Sequence, residues 1–313
     1  RNAEEEVVGG LVTADIGIPF EAEYFVNYGD FLRMNARDLD SHKGNNGRLL
    51  IVGGSKDYSG APAIAGMAAI GAGADLVYVM APESAAKAIK STSPDLIVKS
   101  LEGDELSLEH SQQIIELSED VDAVLIGPGA GISDNTLKLF NVLVSKIKKP
   151  IVLDADALKQ VEMTLIKNRQ DIILTPHIFE FKSFFKVNND LKLDIDSYDF
   201  KKVDENITQF QQISRQIKGS VIVKGKYDLI LSGTKFKINK SGNPGMTVGG
   251  TGDALSGIAT ALFAQGLNAF DSACLAVFIN GLAGDMAFDE KGNGFSASDL
   301  VSFIGNVIKN GLC

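Results

Sequence analysis

Short apolar runs alternate with helix-length segments between residues 48 and 175, and this alternation limits the folds that the chain can adopt. The apolar runs span residues 48–53, 75–80, 122–126, 150–154 and 171–175. Helix-like segments stand between several of them, at residues 60–73, 83–90 and 133–148. Apolar runs of this length are typical of parallel strands that helices cover on both faces. The pattern predicts a three-layer α/β/α fold around a mostly parallel central sheet.

The rhythm changes in the last third of the chain. Residues 220–224, 228–232 and 235–239 form three apolar runs separated by short turns, which predicts antiparallel hairpins at one edge of the sheet. Helix-like segments follow at residues 253–265, 270–288 and 297–309. The polar and acidic residues 188–206 predict a surface excursion between helices.

The run 243–257 places a carboxylate where a glycine-rich turn becomes an apolar helix. Gly249, Gly250 and Gly252 let the backbone approach a ligand closely, and a helix start offers free N–H groups to an anion. Asp253 would compete with a phosphate there, unless it takes a proton from a hydroxyl while the amides hold the phosphoryl group. The alternative is that Asp253 only caps the helix, which is a common role of Asp.

Polar or glycine-rich residues follow several predicted strands, at the edge where parallel sheets bind ligands. Residues 127–131 fit tight packing and phosphate binding equally well, and they match neither the dinucleotide-binding nor the Walker A spacing. Asp154 and Asp156 fit Mg²⁺ ligation beside a triphosphate or a strand-end cap. His177 fits a structural hydrogen bond or a ligand contact. Lys224 fits a phosphate contact or a solvated edge lysine.

The composition is that of an ordinary globular protein, with 45% hydrophobic and 22% charged residues among 313. A formal net charge of -10 argues against a nucleic-acid or anionic-membrane partner. We expect neither a membrane span nor a signal peptide, because no suitable apolar run occurs. The two cysteines indicate a reducing compartment and hence the cytoplasm. The chain begins with Arg1 rather than Met, so we expect that it was cut from a longer one.

Six motifs occur in chain order, and together they resemble the ADP/ATP-dependent NAD(P)H-hydrate dehydratases of the ribokinase-like superfamily. The motifs are Ser41-His-Lys-Gly-Asn-Asn-Gly47, Gly53-Gly-Ser55 with Gly60-Ala-Pro62, Gly127-Pro-Gly129, Leu153-Asp-Ala-Asp-Ala-Leu158, Thr175-Pro-His177 with Glu180, and residues 243–253. The resemblance covers roughly residues 41–310 and is specific as a set. It implies a ribokinase-like fold with antiparallel strands at one sheet edge.

The resemblance also implies a reaction, in which hydrated NADH or NADPH is dehydrated at the expense of ADP or ATP, with Mg²⁺ as a further cofactor. Asp253 would deprotonate the ring hydroxyl, and the resulting oxygen would attack the terminal phosphoryl group. The amides of Gly250, Thr251 and Gly252 would stabilise the charge during transfer. The phosphorylated intermediate would then eliminate phosphate.

By the same resemblance, the hydrate site would be lined by Pro62, Gly129, His177 and Asp253. The nucleotide contacts would be Lys224, Gly225, Lys226, Tyr227, Asp228 and Gly252. Two positions depart from the family pattern. Ile178-Phe179 follow His177, where the family usually has Pro-Gly, and Lys226-Tyr-Asp228 stand where it usually has small residues and a Thr.

Residues 10–19 are similar to the final strand of the NAD(P)H-hydrate epimerase domain that is often fused ahead of this dehydratase. We therefore expect residues 1–40 to be the end of an epimerase domain and residues 41–313 to be the dehydratase domain. In that case residues 1–40 would pack on a partner chain or have no fixed place. The alternative is an ordinary N-terminal extension. We also expect a homo-oligomer.

Two other functions share these features. A ribokinase-like kinase of a vitamin alcohol, such as a thiazole or a hydroxymethylpyrimidine, would share the fold and Asp253, but it would lack residues 41–44 and the epimerase-like tail. A non-enzymatic nucleotide sensor would gain little from a carboxylate beside a phosphate.

Overall fold

The structure is a computed structural model that describes residues 17, 19–35, 37–187 and 200–312. Its centre is a nine-stranded sheet. The strands are β1 (Arg48–Val52), β2 (Leu76–Pro82), β3 (Leu96–Leu101), β4 (Ala123–Ile126), β5 (Ile151–Leu153), β6 (Ile172–Leu174), β7 (Ser220–Val223), β8 (Asp228–Ser232) and β9 (Lys235–Asn239). Their order is β3-β2-β1-β4-β5-β6-β7-β8-β9.

The strands from β3 across to β7 are parallel, and β8 and β9 continue the sheet as antiparallel hairpins. The predicted mostly parallel sheet with antiparallel edge strands is therefore confirmed. Strand β3 was not predicted. It is an outer strand with exposed positions such as Ile97 and Ser100, and it therefore lacks the continuous apolar pattern of a central strand.

Helices cover both faces of the sheet. They are α1 (Phe20–Tyr24), α2 (Gly60–Gly71), α3 (Glu83–Thr92), α4 (Ser111–Glu119), α5 (Asp134–Lys146), α6 (Asp156–Gln160), α7 (Met163–Ile166), α8 (Ile178–Phe184), α9 (Phe200–Ser214), α10 (Thr251–Ala264), α11 (Ala269–Lys291) and α12 (Ala297–Gly311). Short 3₁₀ turns occupy Tyr28–Arg33, Leu108–His110, Pro244–Thr247 and Gly292–Gly294. No helix within the described ranges is both long and apolar enough to cross a membrane.

Alternate residues of each strand serve two cores, as the period of two along a strand requires. Leu49 and Ile51 join the core that contains α2, α10, α11 and α12, whereas Leu50 and Val52 join the core on the opposite face. Helices α2 and α10 cross closely at Gly257, which has no side chain to keep them apart. A Cβ at that position would lie only 2.8 Å from the carbonyl carbon of Ala65. This crossing brings the first turns of both helices to the carboxyl end of the sheet.

The described N-terminal residues pack on the β9 edge of the same chain. Phe25 forms a parallel β-bridge with Ile238, and the Val26 N–H donates to the Ile238 carbonyl at 2.9 Å. Phe31 is buried in the core that contains α11. Neither a partner chain nor a lack of fixed place is needed to account for this part of the tail. Its assignment to an epimerase domain stays a prediction.

The predicted surface excursion at residues 188–206 is wrong in its last part. Residues 188–199 lie outside the described part of the chain, but Phe200 begins α9. The helix forms because Ile207 and Phe210 on its next turns are buried in the core beneath it. Tertiary packing of these apolar residues stabilises a helix whose sequence is otherwise rich in polar residues.

Candidate active site

The glycine-rich run ends at the start of α10, as the sequence predicted. Gly250 is the N-cap residue with φ of +99°, a conformation that favours glycine, and α10 begins at Thr251. The Thr251 hydroxyl donates to the Met246 carbonyl at 2.8 Å and thereby closes the loop onto the helix start. Asp253 lies in the first turn and does not occupy the cap position. The alternative that Asp253 is the helix cap is therefore excluded.

The carboxyl group of Asp253 has a raised pKa, so that it can accept a proton near neutral pH. Burial first, and the negative charge of Asp154 second, raise the pKa of Asp253 to about 7 against the opposing effect of Lys224. Asp156 makes a smaller contribution in the same direction as Asp154. A general base works best when its pKa lies near the working pH. The pKa of Asp253 therefore suits proton abstraction from a hydroxyl.

Lys224 and Asp154 form an ion pair at the ends of β7 and β5. The Lys224 Nζ lies 3.1 Å from Asp154 Oδ1, and the Thr175 hydroxyl donates to the same oxygen at 2.6 Å. Burial by itself lowers the pKa of Lys224, but the charges of Asp154 and Glu180 outweigh it and the pKa is raised. Lys224 therefore stays a cation. A Cβ at Gly252 would lie 3.4 Å from its Nζ, so the cation faces the start of α10.

Asp154 and Asp156 do not form a metal site of their own. Asp156 accepts from the Gly131 N–H at 2.9 Å and from Lys159 Nζ at 2.9 Å. Asp154 is 2% exposed and is engaged by Lys224 and Thr175. Among the described residues, no group of three or more His, Cys, Asp or Glu side chains could hold a metal ion. These residues do not fit a magnesium site built from the protein alone.

The predicted hydrate-site residues lie along the same edge of the sheet. Pro62 stands in the first turn of α2, and a Cβ at Gly54 would contact its ring at 3.4 Å. Gly129 lies against the loop at Tyr58, where a Cβ would meet the Tyr58 carbonyl at 2.8 Å.

His177 is half-exposed at the start of α8, where its Nδ1 accepts from the Phe179 and Glu180 N–H groups. It forms a β-bridge with Lys224. The structural hydrogen bonds of His177 are therefore present, and its exposed ring remains accessible at the site. The two readings of this residue are compatible.

A cavity of about 630 Å³ lies beside the start of α10. Its lining includes every residue that the sequence predicted as a nucleotide contact, namely Lys224, Gly225, Lys226, Tyr227, Asp228 and Gly252. Burial raises the pKa of Asp228 to about 6, although hydrogen bonds from Asn239 and the Gly225 amide oppose the shift. The predicted hydrate-site residues Pro62, Gly129, His177 and Asp253 are not among the described residues that line it. The predicted nucleotide and hydrate residues therefore occupy neighbouring parts of one edge.

Sequence reasoning missed several residues at this cavity. Lys240 lines it and stands 3.9 Å from the centre of the Phe25 ring, so the described N-terminal segment supports the cavity wall. Asn280 lines it from α11, and its side-chain amide donates to the Thr251 carbonyl at 3.3 Å. Asp285 accepts from the Gly242 N–H at 3.0 Å. For Asn280 and Asp285 the signal in the sequence was a polar residue beside a glycine within an apolar helical stretch.

Comparison with known proteins shows the family to which the chain belongs. The sequence profile of the NAD(P)H-hydrate dehydratase family matches residues 49–306. The chain belongs to this family. The membership confirms the resemblance that the motifs carried.

Two relatives and one solved structure illustrate this family membership. The chain is 49% identical over 312 residues to the bifunctional NAD(P)H-hydrate repair enzyme Nnr of Methanothermobacter thermautotrophicus, a match that covers 99% of this chain and 59% of the relative. It is 34% identical over 276 residues to the ADP-dependent (S)-NAD(P)H-hydrate dehydratase of Cenarchaeum symbiosum, covering 88% of this chain and 92% of that one. The chain thus spans less than two thirds of the bifunctional relative.

The crystal structure of the ADP/ATP-dependent NAD(P)H-hydrate dehydratase of Bacillus subtilis, co-crystallised with ATP and Mg²⁺, superposes with a TM-score of 0.70. The two chains are 21% identical, and the match covers 95% of this chain and 100% of that one. At this identity the likeness shows that the two chains share a fold.

Proposed function

We propose that this chain converts NAD(P)H hydrate back to NAD(P)H, with ADP or ATP as the phosphoryl donor. The observation that carries the proposal is Asp253, a carboxyl group with a pKa of about 7 at a helix start that borders a cavity. The dehydratase of Cenarchaeum symbiosum, which this chain covers over 92% of its length, is named as ADP-dependent and supports the choice of donor.

The first step is proton removal. Asp253 accepts the proton of the ring hydroxyl, and the hydroxyl oxygen attacks the terminal phosphorus of the nucleotide. The bond between that phosphorus and the bridging oxygen breaks, and the shortened nucleotide leaves. Backbone N–H groups at the start of a helix stabilise the negative charge that develops on the phosphoryl oxygens. In this chain those groups belong to Gly250, Thr251 and Gly252.

The second step is elimination. The carbon–oxygen bond to the new phosphate breaks as the ring nitrogen supplies an electron pair, and loss of a ring proton restores the double bond. A phosphate leaves more readily than hydroxide, which is the reason for spending a nucleotide on the dehydration. The protein contributes mainly position and electrostatics, as in other phosphoryl transfers.

The two substrates occupy neighbouring parts of the edge in this proposal. The nucleotide lies in the 630 Å³ cavity against residues 224–228 and Gly252, with Lys224 among the cations that line it. The hydrate reaches Asp253 from the side of Pro62, Gly129 and His177. Magnesium would accompany the nucleotide, because Mg²⁺ is usually held through phosphate oxygens and few protein ligands.

The setting of the chain is also proposed. We infer a homo-oligomer that works in the cytoplasm. The bifunctional repair enzymes that match almost all of this chain support the inference that an epimerase domain belongs to the same protein.

The experiment mixes the purified chain with hydrated NADH and either ADP or ATP, and follows the return of the reduced nicotinamide absorbance. We expect turnover with at least one nucleotide, and loss of turnover in Asp253→Asn. Asp134→Asn is the matched control, because Asp134 is an exposed carboxylate in the first turn of α5 and does not line the cavity. Accumulation of a stable phosphate ester without recovered NADH would instead identify a kinase.

A further inference from the structure

One face of α11 supports the loop that precedes the catalytic helix. Gly284 follows Asn280 by four residues, and Asp285 follows Gly281 by four residues. This spacing places all four on the same side of the helix. Loop 240–251 packs against that side. We call these four residues the loop seat.

Asp285 makes the polar contacts at one end of the loop seat. Its Oδ2 accepts from the Gly242 N–H at 3.0 Å, and its Oδ1 accepts from the Asn243 side-chain amide at 2.9 Å. The side-chain oxygen of Asn243 accepts from the Gly245 N–H at 3.0 Å. A half-buried carboxylate therefore holds two successive residues of the loop, and charge-assisted hydrogen bonds of this kind are among the stronger ones.

The two glycines of the loop seat allow the loop to lie directly on the helix. A Cβ at Gly281 would come within 2.8 Å of the carbonyl carbon of Ser241. A Cβ at Gly284 would come within 2.8 Å of the Met246 Cγ. Any larger residue at Gly281 would push the loop backbone away from α11.

Asn280 extends the loop seat to the first residue of the catalytic helix. Its side-chain amide donates to the Thr251 carbonyl, and the Thr251 hydroxyl in turn donates to the Met246 carbonyl. The same helix face therefore holds both ends of the segment whose amides would contact the phosphoryl group.

We propose that Asp285 is a positioning residue, which aligns the amides of Gly250–Gly252 by holding Gly242 and Asn243 against α11. The proposal rests on the proposed function for the meaning of that alignment, since it assumes that phosphoryl transfer occurs at this helix start. It extends that function because Asp285 acts through the loop and touches neither substrate.

The test exchanges the partners of one hydrogen-bonded pair. Asp285→Asn keeps the shape of the side chain but presents an amide group to one of two N–H donors, so one hydrogen bond is lost. In the double variant Asn243→Asp/Asp285→Asn, the new Asn donates to the new Asp and accepts from the Gly242 N–H. The new Asp still accepts from the Gly245 N–H. All the hydrogen bonds of the pair are thereby restored, and the negative charge now lies on residue 243 and not on residue 285.

Hydrogen exchange of residues 240–252 is the first readout. We expect Asp285→Asn to speed exchange of these amides about tenfold or more, since local opening sets exchange rates, while strands β1 and β4 exchange as in the parent. In the double variant, the exchange rates of these amides should lie within about threefold of those in the parent. Asp289→Asn is the matched control, because Asp289 lies one turn further along α11 and is exposed.

Turnover is the second readout, measured as kcat at saturating nucleotide because Asn243→Asp adds a negative charge to the cavity lining. We expect kcat to fall about tenfold or more in Asp285→Asn and to recover in the double variant, as a loss of alignment predicts. Unchanged exchange in Asp285→Asn, or a double variant as impaired as the single one, would overturn the proposal. If the parent itself shows no turnover, the proposed function fails, and the exchange measurements still decide the role of Asp285.

Discussion

Two glycine-rich loops of this protein look alike in sequence but differ in how much space the structure leaves for a side chain at their glycines. In residues 127–131, Gly127 has φ of +124°, and a Cβ there would lie 2.8 Å from the Cβ of Ala157. In residues 248–253, a Cβ at Gly249 would meet nothing within 4 Å. A Cβ at Gly252 would meet only the flexible end of Lys224, at 3.4 Å.

The difference separates a packing glycine from one that leaves space for another molecule. The protein's own atoms leave no room for a side chain at Gly127, and this accounts for the residue without a ligand. At Gly252 the protein leaves room, and the space opens into the cavity beside Lys224. Of the two explanations that the sequence left open for residues 127–131, tight packing is the one that the structure supports at Gly127.

The largest expected effect is at Asp253, the carboxylate that only the second loop carries. Asp253→Asn should lower kcat by about 10²–10⁴-fold, which is the usual contribution of a general base. It should leave the dissociation constant of ADP or ATP within about threefold, because the cavity lining is otherwise unchanged. Stopped turnover assays and calorimetric titration measure the two quantities. A kcat within about tenfold of the parent would remove Asp253 as the base.

Gly127→Ala should damage folding, in line with the packing role of the first loop. We expect the free energy of unfolding to fall by about 2–4 kcal/mol, from overpacking against Ala157 and from the positive φ. Denaturant titration measures it. Gly103→Ala is the matched control, since Gly103 also has a positive φ but a Cβ there would meet nothing within 4 Å. An equal loss in both variants would show that packing is not the cause.

Gly252→Ala should have the opposite effect, with stability kept and activity lost. Alanine favours a helical position over glycine by up to about 1 kcal/mol, so the free energy of unfolding should not fall. We expect weaker nucleotide binding and turnover lower by about tenfold or more, because the methyl group would enter the space beside the phosphoryl amides. Gly305→Ala in α12, where a Cβ would meet only the Gly71 carbonyl at 3.9 Å, should leave turnover unchanged. Full activity of Gly252→Ala would contradict the comparison.

The raised pKa of Asp253 also predicts how stability depends on pH. Because the folded-state pKa of about 7 exceeds the ordinary value of 3.8, the folded state holds this proton more tightly than the unfolded state. Its contribution is therefore fully present below about pH 4 and is lost as the pH rises to about 7. After allowance for partial exposure of the group, we expect a loss on the order of 2 kcal/mol. Thermal unfolding of the parent and of Asp253→Asn across this range measures the difference. Equal dependence of the free energy of unfolding on pH in the two proteins would contradict the prediction.

The last expected effect concerns activity in the same pH range. Since the base must be deprotonated, kcat/KM of the parent should fall by up to about tenfold for each pH unit below about 7. A profile that stays flat down to pH 5 would show that no group with this pKa acts in the free enzyme.

The strands could be predicted wherever burial on both faces leaves an uninterrupted apolar run, as in β1, β4 and β5. Strand β3 could not, because its outer position lets Lys99 and Ser100 interrupt the pattern. The candidate site was predictable to the same extent. Lys224 and Asp154 were found because they end strands, and Asp253 because it follows glycines.

Asn280 and Asp285 were missed for a physical reason. Both stand within a long helix that is largely buried, where a polar residue in the sequence does not reveal which loop it faces. Their partners Thr251 and Gly242 are distant along the chain, and only the packing of the loop on α11 brings them together.

The sequence by itself determined the layered fold, the glycine-rich helix start that carries Asp253, and the family, because apolar periodicity and glycine placement are local properties. The tertiary structure alone decided which glycines the protein's own packing requires and which leave room for a ligand. It also decided that burial and the neighbouring Asp154 raise the pKa of Asp253. These properties depend on atoms that are far apart in the chain and adjacent only after folding.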